Sequence, residues 1–412
     1  MKEPKIRFKG FSGEWVNTKF SSLAKIKRGL TYSPNHVCSQ GVRVLRSSNI
    51  DKDTFVCLKD DVFVSPECVN VPFAIEGDIL ITAANGSSRL VGKHAVIEKL
   101  KGEKVVPGGF MVLASTHEPY FLNSCMSSPW YRRFLKIGVA GGNGAIGNLN
   151  KNALEDTDFY IPGNNLERNN IASFFTSLDA QLSASTSRLD SLKQMKAASL
   201  QAMFPQEGET VPKVRFRGFE GEWKKVKLSE CLEISTERNL NNKYGVNEVL
   251  SVSDEEGVMN QIKLLGRSYA GKSVTNYKIL RTNQVVYTKS PLKAKPYGIV
   301  KVNKGETGIV SVLYAVYDAK ESVSPDYIHY YFEPTFRINN YLLPLINKGA
   351  KNTMNISDEV SLQGDIILPN TLEEQVRIVE FLQSLDRQIA LHTQRLEKLK
   401  QIKAACLDKM FV

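Results

Sequence analysis

Ile378-Val379-Glu380-Phe381-Leu382-Gln383-Ser384-Leu385-Asp386-Arg387-Gln388-Ile389 lies inside a run from Leu372 to Val412 that contains no Gly or Pro. Its apolar residues Ile378, Leu382, Leu385, Ile389, Leu396 and Leu399 follow alternating steps of four and three, with His392 holding the position between Ile389 and Leu396. That is the a/d spacing of a coiled-coil helix and not the alternation of a strand. The same pattern occurs earlier, from Leu166 to Phe204, as Ile171, Phe175, Leu178, Leu182, Leu189 and Leu192. The two runs correspond residue by residue at an offset of 207. Ser177-Leu178-Asp179 answers Ser384-Leu385-Asp386, Leu192-Lys193-Gln194 answers Leu399-Lys400-Gln401, and Met203-Phe204 answers Met410-Phe411. The breaks in the seam match as well: Ser185 stands against His392, and Lys196 against Lys403. A polar residue at an a or d position costs stability and specifies register and partner.

Each run has an apolar stripe too long to leave in water, and the other copy is its obvious partner. A helix of this length spans roughly 50 Å at 1.5 Å per residue, so a pair would act as a spacer between whatever precedes each copy. Antiparallel pairing would relate those preceding segments by an approximate two-fold axis.

The preceding segments are themselves repeated at their start. Arg7-Phe8-Lys9-Gly10-Phe11, continuing to Gly13-Glu14-Trp15, returns as Arg215-Phe216-Arg217-Gly218-Phe219 with Gly221-Glu222-Trp223. The chain is therefore a tandem duplication of entry segment, module and helix. Pro162 to Leu166, Pro205 to Val211 and Pro369 to Leu372 mark the joints. The expected division is a first domain over 1–165, a helix over 166–205, a second domain over 206–369 and a helix over 370–412.

Between the markers both modules read as mixed α/β. In the first, Gly41–Arg46, Gly77–Thr82, His94–Ile97 and Phe110–Ala114 are expected strands, and Tyr120–Ile137 one or two helices. In the second, Gln284–Thr288, Gly298–Val300 and Val310–Val316 are expected strands, with an aromatic helix from Asp326 to Leu343. The order repeats while the residues differ. A shared frame with two divergent modules suits a protein that reads two targets with one architecture.

Composition sets the function classes. The 412 residues suffice for two or three domains. The net charge of +11 and pI near 9.2 point to a polyanionic partner, with nucleic acid ahead of a membrane surface. No run of eighteen apolar residues is present, so no transmembrane helix is expected. The N-terminus lacks the apolar segment of a secretory signal. Six scattered cysteines without a CxxC pair read as free thiols in a reducing cytoplasm, with no metal site.

Two phosphate-binding patterns occur. Gly266 with Gly271-Lys272-Ser273 matches the P-loop. That mechanism requires a strand before the loop, for which Ile262–Leu265 is the candidate, and a helix after it. Val274–Ile279 is β-branched and aromatic, and reads as another strand. Gly142, Gly144 and Gly147 form a GxGxxG, but it follows a helical stretch and opens into Asn148-Leu149-Asn150-Lys151. No methyltransferase, nuclease or metalloprotease signature accompanies them, so no catalytic residue is assigned. A P-loop NTPase acting on nucleic acid is the alternative reading.

The candidate DNA contacts are loops rich in Arg, Lys, Asn, Ser and Thr, side chains that suit base edges and phosphates. In the first module they are Arg43, Arg46, Ser47, Asn49, Asn85, Ser87, Arg89, Lys93, Asn143, Asn148 and Lys151. In the second they are Arg267, Lys272, Lys289, Lys293, Lys295, Tyr297, Lys351, Asn352 and Asn355.

Over its whole length the chain resembles the specificity subunits of type I restriction-modification systems, and staphylococcal sequences of this family are similar to it. The resemblance rests on the repeated Arg-Phe-x-Gly-Phe-x-Gly-Glu-Trp segments and on the two helices with Ser-Leu-Asp and Leu-Lys-Gln. It also rests on the stretches Asn148–Pro162 and Met354–Asn370 before the helices. It implies two target-recognition domains, each reading half of a split double-stranded DNA sequence, separated by an antiparallel coiled coil that fixes the spacer. It implies two modification subunits that bring S-adenosylmethionine and adenine N6 methylation. Two restriction subunits would add ATP- and Mg-dependent translocation and cleavage. The chain itself would hold no cofactor and do no chemistry. An insertion near Pro205 is then expected to lengthen the spacer.

Overall fold

The structure, a computed structural model, describes residues 3–140, 147–271, 273–289, 294–348 and 354–412. It divides into two compact units: residues 1–186 with 394–412, and residues 187–393. Each unit contains one module and a part of both long helices.

In the first unit a four-stranded antiparallel sheet runs in the order His94–Val96, Ile79–Thr82, Met111–Thr116, Ala24–Arg28. Ile79, Ile81, Val112 and Ala114 face one core, together with Phe121, Leu122, Trp130 and Tyr131 of the helices Pro119–Met126 and Pro129–Gly138. Leu80, Leu113 and Met111 face the other core, with Leu45 and Val105 of a second sheet. Both faces are covered, which is why Ile79-Leu80-Ile81 is apolar without a break. In the second sheet Val105–Pro107 runs parallel to Val42–Leu45, and the strands Val62–Val64 and Val37–Cys38 complete it.

The second unit repeats the main sheet in the same order: Val300–Val302, Val285–Thr288, Tyr314–Ala319, Leu232–Ile234. Val285, Tyr287, Ala315 and Tyr317 pack on the helices Pro325–Phe332 and Thr335–Leu342. Val286 and Val316 pack on Leu280 and Val310 beneath. Two expectations are corrected here. Val310–Val316 is not one strand: Gly308–Val310 and Tyr314–Ala319 pair with different partners, and a turn closed by Tyr314 N–H to the Ser311 carbonyl at 3.0 Å separates them. The aromatic stretch is two helices, because Pro334 lacks the N–H that would continue the first.

The long helices span Asn165–Ala202 and Leu372–Lys409. In the first unit Ile171 and Phe175, near the start of the first helix, share a core with Leu407, Met410 and Phe411 at the end of the second. In the second unit Leu200, Met203 and Phe204 share a core with Ile378 and Leu382. In each unit, then, the beginning of one helix packs with the end of the other, which is the antiparallel sense. The two lysines that break the seam have partners too. Lys196 Nζ lies 2.6 Å from Asp386 Oδ1, and Lys403 Nζ lies 2.6 Å from Asp179 Oδ1. The same lysine–aspartate pair thus forms once in each unit.

The repeated entry motif acts as a clasp on the helices. Arg7 donates to both carboxylate oxygens of Glu167 at 2.7 and 2.8 Å, and Arg215 to both of Glu374 at 2.7 and 2.9 Å. Each arginine also donates 2.6 Å hydrogen bonds to the carbonyl of its own motif glycine, Gly13 or Gly221. Gly10 and Gly218 have φ of 95° and 93°, a conformation that a side chain resists, so the Gly of the motif is required by the turn. Phe8 sits edge-on to Phe174 and Phe216 edge-on to Phe381. The motif tryptophans are buried, Trp15 edge-on to Phe411 and Trp223 edge-on to Phe204. The strand that follows the motif then pairs with the strand that leads into the helix: Val16–Lys19 with Asp158–Ile161, and Lys224–Lys227 with Asp365–Leu368.

Glu374 is almost wholly buried and also accepts from Trp223 Nε1 at 3.2 Å. Glu374→Ala leaves the Arg215 guanidinium without its carboxylate in a mostly buried site, and should destabilise the second unit by about 3–5 kcal/mol. Glu374→Gln, which keeps the shape and one acceptor, should cost less. Equal midpoints for the two variants in urea denaturation would show that the charge pair contributes nothing.

Candidate nucleic-acid interface

In the first module the loops gather where the main sheet and the second sheet meet. The strand Gly147–Leu149 pairs with Ala84–Asn85, which sets Asn148 opposite Ala84. Two of the candidate loops, distant in sequence, are thereby joined. Arg46, Ser47 and Asn85 line one open cleft of about 660 Å³, whose walls include Tyr32 and Phe110. Ser87, Arg89, Asn148 and Lys151 are exposed. Lys93 is half-buried and donates to the Ile50 carbonyl at 2.7 Å.

Arg43 and Asn49 lie elsewhere. Arg43 is buried, with Nη1 2.7 Å from Asp61 and Nε 2.8 Å from Glu103, and its guanidinium sits 4.7 Å from the Phe63 ring centroid. Asn49 has no exposed surface; it donates to Asp61 at 2.9 Å and accepts from the Arg46 backbone N–H at 2.7 Å. Both side chains are spent on the platform beneath the cleft and have no donor turned to solvent. Spacing along the chain does not show this, because the partner that buries them, Asp61, belongs to a different loop. Tyr32 and Phe110 were missed for the opposite reason: they belong to loops with no cluster of basic residues. Phe110 is 65% exposed, unusual for a phenylalanine, and is the signal that the structure adds.

In the second module Arg267 is exposed and stacks on Tyr269, 4.6 Å from the ring centroid, with Tyr269 itself 61% exposed. Lys289 and Lys295, the described basic residues of the loop after Val285–Thr288, are held by carboxylates. Lys289 and the buried Lys278 both pair with Asp358. Burial pushes the Asp358 carboxyl up, but the hydrogen bonds from Lys278 and Lys289 outweigh it and hold the group below its ordinary range. Lys295 bonds Asp254 at 2.8 Å and the Glu333 carbonyl at 3.1 Å. Tyr297 is half-buried, and its carbonyl accepts from the Tyr287 hydroxyl at 2.9 Å. Asn355 belongs to the short strand Met354–Asn355, paired with Asn347–Lys348. Asn143, Lys272, Lys293, Lys351 and Asn352 lie outside the described residues.

The modules diverge at an equivalent place. Val44 is paired in parallel with Val106 in the first, and Val249 with Ile309 in the second. Two residues further on stand Arg46 and Ser251 respectively. Ser251 is buried and accepts from Gln261 Nε2 at 3.0 Å. One scaffold position thus presents a guanidinium in one module and a satisfied hydroxyl in the other.

The P-loop pattern is not built as one. Ile262–Leu265, read above as a strand, belongs to a short helix, Gln261–Leu265; Asn260 caps its start and Gly266, at φ 77°, ends it. No helix follows within the described residues; the next element is the strand Lys278–Leu280. The strand–loop–helix that aims backbone N–H groups at phosphates is therefore absent there. The GxGxxG falls largely outside the described residues, and its last glycine, Gly147, opens a strand. Among the described residues no group of three or more His, Cys, Asp or Glu is placed to hold a metal ion, and no helix is long and apolar enough to cross a membrane.

The two modules share the order of their main sheet and the arginine–glutamate clasp to the long helices, and they differ in their loops. Residues 220–401 match the family model described as "Type I restriction modification DNA specificity domain". Residues 220–401 thus carry a DNA specificity domain of the type I restriction-modification kind, a domain whose role is recognition of a DNA sequence. Among solved structures, an S subunit of a type I restriction-modification system from M. genitalium is 11% identical, with a TM-score of 0.61 over 100% of this chain and 99% of that one. It shows the same fold. An HsdS subunit from Thermoanaerobacter tengcongensis is 17% identical, with a TM-score of 0.41 over 100% and 99% of the two chains. No curated protein matches the chain.

Proposed function

We propose that each module reads one half of a bipartite site in double-stranded DNA, and that the long helices set the spacer between the halves. The observation that carries this reading is the contrast between frame and modules. The clasp, the main-sheet order and the lysine–aspartate pairs occur twice, while the loop residues differ, as Arg46 and Ser251 do. A frame held constant beside loops that vary is what two independent sequence readings require.

The frame also suits two copies of one partner. Val214 N–H bonds the Ala202 carbonyl at 2.9 Å, and Ile6 N–H bonds the Lys409 carbonyl at 2.9 Å. Beside these equivalent contacts, Val214 and Met195 are 53% and 48% exposed, and Ile6 and Ile402 are 45% and 40% exposed. In the second unit the pair belongs to an open groove of about 350 Å³ that reaches Phe216 and Phe381. The same apolar pair exposed twice fits one modification subunit on each unit. The full complex then holds two modification and two restriction subunits. S-adenosylmethionine, ATP and Mg enter with those partners, and this chain does no chemistry. Its place is the cytoplasm, with the DNA it reads.

The test is a module exchange. Residues 224–368 are replaced by the corresponding module of another specificity subunit, and methylated adenines are mapped in cells that also carry the modification partners. One half of the split motif should change and the other stay. Retention of the complete original motif, or change of both halves, would overturn the assignment. Exchange is preferred to deletion, because deletion would strand Phe204 and Ile378 in water.

A further inference from the structure

We propose that Arg46 is a base-reading residue of the first module, and that the cleft it lines takes the major-groove edge of a guanine. This inference rests on the recognition reading above and names what one of its two modules recognises.

The cleft is polar only where it needs to be. Tyr32, Phe110 and Met111 give it apolar walls, and among the described residues Arg46 is the only charged one that lines it. Three arginines of this unit that are more than four-fifths buried have carboxylate partners: Arg7 with Glu167, Arg43 with Asp61 and Glu103, Arg168 with Glu118. Arg46 has none among the described residues. Its Nη2 makes one bond, to the Asp60 carbonyl at 3.3 Å, and its buried Nε makes none. A guanidinium that retains unused donors in a neutral cleft is matched by a pair of acceptors from outside. Guanine O6 and N7 are such a pair, and the arginine fork meets them with two hydrogen bonds.

Arg46 is also held ready. Its backbone N–H is fixed by Asn49, which is fixed by Asp61, which is fixed by Arg43, all of them buried. Its aliphatic stem passes over Gly108, where a Cβ would lie 4.0 Å from Arg46 Cγ and 3.1 Å from the Leu45 carbonyl oxygen. An adenine is the poorer fit. Reading adenine with Asn85 requires its amide to turn toward the base, but two bonds within the wall of the cleft fix that amide: Oδ1 accepts from Ser87 N–H at 2.9 Å. Its Nδ2 donates to Ser47 Oγ at 3.2 Å. Asn85 is accordingly a positioning residue for the wall of the cleft. A phosphate is the other ligand with acceptors for a guanidinium, and the test separates the two.

Arg46→Ala and Arg46→Lys are made in the full chain and assembled with its modification partners, and methylated sites are mapped genome-wide. Arg46→Lys keeps the charge and the stem but loses the fork. In both variants one G·C position should become degenerate, in the half-site that the module exchange assigns to the first module. Discrimination there should fall by about 5- to 150-fold, the worth of one bidentate contact, with the other half-site unchanged. A uniform fall in methylation with an unaltered motif would mean a phosphate contact and overturn the proposal. An unaltered motif at wild-type level, degeneracy at an A·T position, or complete loss of methylation by a chain that melts at the wild-type temperature would overturn it too. If Arg46→Ala does not fold, Arg46→Lys decides by the same readout. Failure of the underlying reading is distinct: it shows in the wild-type chain and its module exchange, before any substitution at Arg46.

Discussion

Phe204→Ala should remove about 3–5 kcal/mol from the stability of the second unit, the usual cost of truncating a wholly buried phenylalanine. Phe204 has no exposed surface and closes an aromatic cluster, with ring centroids 5.4 Å from Tyr327, 6.0 Å from Tyr331 and 6.5 Å from Trp223. It also has an electrostatic task. The Arg337 guanidinium lies 5.0 Å from its ring centroid, and Arg337 is buried with no carboxylate partner among the described residues. Burial presses the Arg337 pKa below its ordinary value, and in place of water the charge has the faces of Phe204, Tyr331 and Phe336 and a hydrogen bond from Nη1 to the Tyr331 carbonyl at 3.2 Å. Alanine removes the packing and one of those faces together. Hydrogen exchange resolves the effect by unit. Protection of the strands Val285–Thr288 and Tyr314–Ala319 should fall, and that of Ile79–Thr82 and Met111–Thr116 should stay. A loss below about 1 kcal/mol, or equal losses in both units, would show that Phe204 does not anchor the second module to the helix.

The helices and the duplication were legible because their signals are periodic and need no knowledge of what lies opposite. The entry motif was legible as a repeat but not as a clasp. Its arginine meets a glutamate about 160 residues on, Glu167 or Glu374, and only the fold brings them together. The same limit governs the loops. Arg43, Arg46 and Asn49 are near neighbours in sequence and equally suited to DNA by type. Asp61 draws Arg43 and Asn49 inward and leaves Arg46 in the cleft. The P-loop pattern failed in the other direction. Its glycines are real, but Gly266 ends a helix that Asn260 begins, and a pattern of residue types does not record that the strand is missing. Residue chemistry thus identified which loops were worth attention, while the burial of individual carboxylates decided which side chains remain available.

The spacing role of the helices predicts a change in the DNA motif itself. Four residues inserted after Thr186 in the first helix, together with four after Thr393 in the second, should lengthen the spacer by one or two base pairs. Each insertion adds about 6 Å of helix and just over one turn, so the apolar seam is nearly kept. DNA rises about 3.4 Å per base pair. These points fall between the two units, so Lys403 keeps Asp179 and Lys196 keeps Asp386 within their own units. Insertion in one helix alone puts the two seams out of step and should cost stability instead. The site near Pro205, expected from sequence to serve the same purpose, becomes the control. Phe204 before it is already seated in the core of the second unit, and Val214 after it bonds back to Ala202. Extra residues there loop out without moving the module, and the spacer should not change. Mapping methylated adenines for the wild type, the double insertion and the Pro205 insertion reads the spacer directly. A spacer that follows the Pro205 insertion and ignores the helices would mean that the distance between half-sites is set by the joints of the modules, and the helices would then be only the surface on which the partners assemble.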